Sequence, residues 1–242
     1  MTRATFETMG TVVSLEWTGG GARFAAVEAV FEAADRRFSL YRPESELSRI
    51  ADGSLELLDA SAELREVYAT ALGWRGDTGG AFTPHRPDGT LDLNGIVKAW
   101  AMAEAGRALG DGDWCLNVGG DVFVSGRAAH DDRWVVGIVD PADRSGLLTA
   151  VPLANRRRAA ATSGSAERGD HIWTRGREHA EFAQVTVLAD DIVTADVLAT
   201  AIVSGGSSAL NDLTARFDID VLTVDRDGGL RATRGMRELV AR

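Results

Sequence analysis

Four short segments carry side chains whose types and spacing could do chemistry. The first is Asp196 with Thr200. Residues four apart on a helix project from one face, so a carboxylate and a hydroxyl would stand one turn apart. They offer two hard oxygen ligands to Mg²⁺, which takes few protein ligands and keeps water or phosphate for the rest. The same spacing also fits an aspartate that favours a helix N-terminus and a threonine that bonds back to a carbonyl. The second segment is Asp92-Leu-Asn-Gly-Ile-Val-Lys98, running from a polar loop into an apolar helix. Free N–H groups at a helix start suit an anion, and Lys98 lies one turn further in. A capped helix whose lysine snorkels to solvent is the alternative.

The third segment, Asn117-Val-Gly-Gly-Asp121, falls between two expected strands. Paired glycines let a backbone approach a flat ligand closely, or simply make a tight hairpin. The fourth, running from Thr162 to Ile172, is polar, punctuated by glycine, and contains His171. Such loops carry ligand contacts more often than cores do, and a solvated loop with an idle histidine is an equal reading. The phosphate-binding loop Gly-x-x-x-x-Gly-Lys-Ser/Thr, the Gly-x-Gly-x-x-Gly turn, the zinc helix His-Glu-x-x-His and the nucleophile elbow Gly-x-Ser-x-Gly are all missing. Cys115 is the single cysteine, so no disulfide framework or thiolate cluster exists, and it reads as a small core residue.

Periodicity shows which elements must position these residues. Val13, Leu15 and Trp17 alternate over 11–17, predicting a half-buried strand. From Ala22 the apolar residues Phe24, Val27, Val30, Phe31, Ala34 and Phe38 recur at threes and fours, as on one helix face. A second helix starts near Asp59 or Ser61, either of which could cap it, and ends near Gly73–Gly76. A third begins at about Gly95 and is apolar nearly all round, so it should be buried on several sides. Strands are expected near 115–118, 122–125, 134–139, 147–152, 159–162, 184–188 and 221–224, with helices at 194–203 and 208–217. Neighbouring runs of strands predict an α+β fold rather than a βαβ repeat. No repeat, low-complexity segment or linker divides the chain, so residues 1–242 read as one domain.

The formal net charge of −10 argues against a nucleic-acid surface, which needs clustered Lys and Arg. For an anionic ligand, that charge must be offset by a local basic patch or a bound cation. Arg156-Arg157-Arg158 is the one basic run, and it suits a charged strand edge as well as a phosphate contact. No run approaches the roughly 18 consecutive apolar residues of a membrane span. The first residues lack an apolar signal region, and the expected location is cytoplasmic, with no membrane partner.

Taken in order, these segments resemble the FAD:protein FMN transferases, the ApbE-like flavin transferases. Thr8-Met-Gly-Thr11 is similar to the family's N-terminal Met-Gly-Thr. The stretch Phe38–Ile50 resembles its S-x-Y-x-P-x-S-E-L-S-x-I. Gly80-Ala-Phe-Thr-Pro84 resembles G-x-F-D-P, and 92–98 resembles D-L-G-G-I-A-K. Asn117–Asp121 matches N-x-G-G-D, and Ala161–Gly164 contains T-S-G. Thr186-Val-Leu-Ala with Ala195–Ala201 resembles the closing V-T-V and A-D-x-L-A-T-A.

The resemblance implies an α+β fold of mixed and antiparallel sheets with packed helices. It implies transfer of the FMN moiety of FAD to a Thr or Ser hydroxyl of an acceptor flavoprotein, with release of AMP and with Mg²⁺ on the pyrophosphate. Asp196 and Thr200 would hold that ion with the carbonyl of Gly95. Met9, Tyr41, Ala81, Phe82, Thr83, Asp92, Lys98 and Ile172 would line the FAD, and His171 would be the catalytic base. The chain departs from the pattern at Ala51, Thr83 and Ala99, in the loop 171–177, and in a much shortened stretch between Pro84 and Asp92. Two further expectations stand beside transfer: an FAD pyrophosphatase with water as acceptor, and a non-catalytic FAD carrier, which the altered Ala51, Thr83 and His171 loop motivate.

Overall fold

The computed structural model describes residues 1–18, 22–128, 133–164 and 180–240. In chain order the elements are β1 (Thr2–Thr8), β2 (Thr11–Trp17), α1 (Ala22–Phe38), α2 (Glu46–Ala51), α3 (Ala62–Asp77) and α4 (Asn94–Leu109). Then come β3 (Trp114–Val118), β4 (Asp121–Ser125), β5 (Trp134–Val139), β6 (Leu147–Leu153), β7 (Ala159–Gly164) and β8 (Phe182–Ala189). The chain closes with α5 (Ile192–Arg216), β9 (Asp220–Asp225), β10 (Leu230–Ala232) and α6 (Arg234–Val240). Eight strands form one sheet in the order β1-β2-β3-β4-β7-β8-β9-β10, and β5 pairs with β6 in a second. Every pairing among the described residues is antiparallel.

The sheet separates two cores. On one face α1, α4 and α5 pack through Phe31, Ile96, Met102, Leu198 and Ile202 onto Leu15, Leu116, Ala161 and Val187. On the other face the β5–β6 hairpin and α6 bring Trp134, Val151 and Met236 against Val122, Ala160, Leu188 and Leu222. Alternation along a strand sends neighbouring residues to opposite faces: Ala159 and Ala161 meet the helices while Ala160 meets the hairpin. β7 and β8 are therefore buried on both sides along almost their whole length.

The expected elements appear with shifted ends. Ser61 rather than Asp59 caps α3, accepting the Leu64 N–H at 3.3 Å. The two C-terminal helices are joined in α5, which is broken at Gly206 (φ 64). Glu181 accepts the Ser207 N–H at 3.0 Å, so a carboxylate caps the restarted helix as a helix N-terminus favours. By length and composition α5 could cross a bilayer, although no unbroken apolar run shows this in the sequence. Here its apolar face is core, and it carries the fully buried Asp196. β1, α2, β10 and α6 were not expected. β1 is an edge strand with mostly exposed side chains, so little apolar pattern marks it.

Candidate functional site

The helix face of the sheet holds a buried group of charges. Lys98, one turn into α4, places its Nζ in an ion pair with Asp121 Oδ2 and 3.8 Å from Asp196 Oδ1. The Asp121 and Asp196 side chains are 2% and 0% exposed, and that of Lys98 is 14% exposed. The fold brings them together from three elements. Asp121 follows the Gly119-Gly120 turn at the start of β4, and both glycines are at positive φ (59 and 98°). A Cβ on Gly119 would stand 2.6 Å from the Thr11 hydroxyl, so glycine is required there on two counts. Asp121 Oδ1 accepts the Thr162 N–H at 2.9 Å, and the Thr162 hydroxyl meets that of Thr186 at 2.9 Å. Burial pushes the Asp121 carboxyl above the usual range. The Lys98 ammonium pulls it back and the Asp196 carboxylate pushes it further up.

Thr200 lies one turn beyond Asp196 on α5, its hydroxyl 3.2 Å from that of the buried Ser163. Gly95 sits in the first turn of α4, with the Phe82 ring so close that a Cβ would approach Cε2 at 3.0 Å. Lys98 thus stands between two buried carboxylates among the described residues. The Asp196 carboxylate and Thr200 hydroxyl are oxygen donors of the kind a hard cation takes. No group of three or more His, Cys, Asp or Glu gathers among the described residues, so a site at Asp196 and Thr200 would rest on few protein ligands, as Mg²⁺ does.

Next to the cluster opens a cavity of about 1440 Å³, lined by the β1–β2 turn, α1, the loop after α1 and the start of α4. Met9, Tyr41 and Lys98 line it, together with Asn94, Gly119 and Thr162. Met9 and Gly10 make a two-residue hairpin turn with both φ positive (49 and 71°), the twist such a turn requires. Methionine is an uncommon residue there, and strain of this kind tends to gather at ligand sites. Tyr41 is 80% exposed. Its loop is pinned beneath it, with the Ser45 and Ser48 hydroxyls both donating to the Ser39 carbonyl at 2.5 and 3.0 Å. The lining carries Arg42, Lys98 and Arg144 against Glu7, Glu28, Glu32 and Asp35, so side chains alone do not make it a receptor for anions.

Ala81, Phe82, Thr83 and Asp92 do not line this cavity. Phe82 is 3% exposed, its N–H bound to the Thr78 hydroxyl at 3.1 Å. Asp92, just ahead of α4, accepts the Asn94 N–H (3.0 Å) and takes a hydrogen bond from Arg86 Nε at 2.8 Å. The shortened stretch is a small hairpin, closed by Asp92 N–H to Pro84 O (2.8 Å) and Arg86 N–H to Thr90 O (2.9 Å). His171 and Ile172 lie outside the described residues. Arg156, Arg157 and Arg158 pair with Asp218, Asp220 and Asp190, which favours the strand-edge reading over a phosphate contact. Asp121 was not among the expected site residues, although it closes the N-x-G-G-D segment.

The family model described as the ApbE family matches residues 9–86 and 83–223. The chain belongs to the ApbE family. The two matched stretches meet at 83–86, where the shortened hairpin begins. The ApbE protein of Thermotoga maritima superposes with a TM-score of 0.83 at 19% identity, over 99% of both chains. The flavin transferase ApbE of Vibrio cholerae gives 0.80 at 22%, over 98% of each. The flavinyl transferase ApbE of Pseudomonas stutzeri gives 0.80 at 22%, over 99% of this chain and 96% of that one. No curated protein matches the sequence. At these identities the likeness shows the ApbE fold, including its helices packed on an antiparallel sheet.

Proposed function

We propose that the protein is an Mg²⁺-dependent FAD:protein FMN transferase that works on cytoplasmic acceptors. The observation that carries this is the adjacency of the large cavity to the buried Lys98–Asp121–Asp196 group. Pockets for drug-sized ligands run to roughly 1,000 Å³, so a cavity of about 1440 Å³ suits a dinucleotide. The exposed Tyr41 ring at its wall is placed to cover a flat ring system.

Asp196, Thr200 and the Gly95 carbonyl would hold Mg²⁺, which when bound neutralises charge on the pyrophosphate. Lys98 gives the cavity a cation that stays fixed because Asp121 holds it. Met9 and Tyr41 orient the nucleotide. In the transfer, the acceptor hydroxyl oxygen bonds to the FMN phosphorus as the pyrophosphate P–O bond breaks, AMP leaves, and the hydroxyl proton passes to a base. The resemblance assigns that base to His171.

The test is to incubate the protein with FAD in Mg²⁺ or EDTA, with and without a Thr-bearing acceptor, and to separate the products. Mg²⁺-dependent AMP together with covalent flavin on the acceptor is the expected result, and Asp196→Ala should abolish both. AMP without covalent flavin would mean a pyrophosphatase. Intact FAD retained by the protein under all conditions would mean a carrier.

A further inference from the structure

The β5–β6 hairpin is a two-stranded sheet of its own. Its inward residues, among them Trp134, Ile138, Val151 and Leu153, pack into the core. An antiparallel sheet with one face packed and one solvated ordinarily alternates apolar residues inward with polar residues outward. Here the outward pairs are Val135 with Pro152, Gly137 with Ala150 and Val139 with Leu147, and none of these six carries a polar side chain. Val135, Val139 and Leu147 are 57%, 42% and 63% exposed. A Cβ on Gly137 would meet the Leu147 side chain at 3.0 Å, so the leucine leans across onto the neighbouring strand and the apolar face is continuous. A contiguous apolar face kept in water marks a place where another molecule docks.

Position and size say which molecule. The loop 140–146, which joins Val139 to Leu147, reaches the large cavity and supplies Arg144 to its wall. Face and cavity are held in a fixed relation. The buried Gln184 of β8 donates from Nε2 to the Val139 carbonyl at 2.9 Å, and the Asp140 N–H bonds the Gly146 carbonyl at 3.1 Å across the loop. A partner seated on the hairpin therefore stands beside the cavity. A stable dimer places roughly 20–30 residues a side in its interface, so a face of these six suits a partner that comes and goes. We infer that the outward face of the β5–β6 hairpin is the docking surface for the acceptor flavoprotein, taking an apolar segment of that protein close to its Thr or Ser. This rests on the transferase reading given above. A weak contact fits that role, because each acceptor must leave once it has received its FMN.

The acceptor is first purified, free of flavin, as the protein that gains covalent fluorescent flavin when the enzyme and FAD are added to an extract of the source organism. Transfer to it is then measured for wild type and for Val135→Asp with Leu147→Asp. The KM for the acceptor should rise about tenfold or more in the variant, while kcat and FAD affinity stay within about twofold of wild type. A KM within about twofold of wild type overturns the inference, and so does a fall in FAD affinity as large as the loss in kcat/KM, which puts the effect in the cavity. A wild type that sediments as a dimer beside a monomeric variant gives the face to a second copy and overturns it as well. Those three results leave the transferase reading intact. An extract in which no protein gains flavin overturns that reading and the inference with it. Should the aspartate variant not fold, Val135→Thr with Leu147→Gln takes its place, with the same rise in KM expected and the same results overturning the inference.

Discussion

Lys98→Met removes the single ammonium from a group in which the Asp121 and Asp196 side chains are 2% and 0% exposed. Methionine keeps the length and apolar character of the lysine stem, so the perturbation is the charge. Removing one partner of a buried ion pair costs about 3–5 kcal/mol, because the charge left behind is uncompensated. In a chain of this size each kcal/mol lowers the melting temperature by roughly 2–4 °C, giving a fall of roughly 6–20 °C. The loss should also depend on pH. Burial and Asp196 already push the Asp121 carboxyl up, and Lys98 opposes them, so the variant's carboxyl rises further. A group raised in the folded state contributes its stability below its unfolded value and loses it as pH rises through the folded value. The deficit relative to wild type should therefore be smaller near about pH 5 than near about pH 8. The assay is calorimetric melting in EDTA at both pH values, so that no divalent ion takes the place of the ammonium. A fall below about 2 °C, or a deficit equal at the two pH values, would refute the claim that Lys98 neutralises these buried carboxylates.

Tyr41→Ala should leave stability within about 0.5 kcal/mol, since the ring is 80% exposed. It should weaken FAD binding roughly two- to tenfold, the worth of an aromatic pair of about 0.5–1.5 kcal/mol. Unchanged affinity in a flavin fluorescence titration would remove Tyr41 from the site. Gly119→Ala should destabilise by about 1–2 kcal/mol from its left-handed backbone alone, with a further push on Thr11. An unaltered melting temperature would contradict the strained turn. Burial, with a smaller contribution from Glu16, pushes the Cys115 thiol up to about 12. An alkylating reagent at about pH 8 should therefore label denatured protein quickly and native protein scarcely at all, and rapid stoichiometric labelling of native protein would contradict that burial.

The sequence by itself determined the buried face of α1, because Phe24 to Phe38 repeat at the helical period, and the burial of α4, because Ile96 to Leu109 are apolar nearly all round. It also determined the α+β class and the family, because the motif-bearing loops keep their residue types and order. Only the tertiary structure decided the sheet order, since antiparallel pairing of β4 with β7 across the β5–β6 hairpin depends on backbone hydrogen bonds that any side chain permits. It alone placed Arg157 against Asp218 and Asp220, which separates a braced strand edge from a phosphate contact. It also moved Lys98 from an expected ligand contact to a shared role, lining the cavity while paired with Asp121. Asp121 and Lys98 are far apart along the chain. A charge buried by a helix and a strand that meet only on folding leaves no spacing in the sequence from which the pairing could be read.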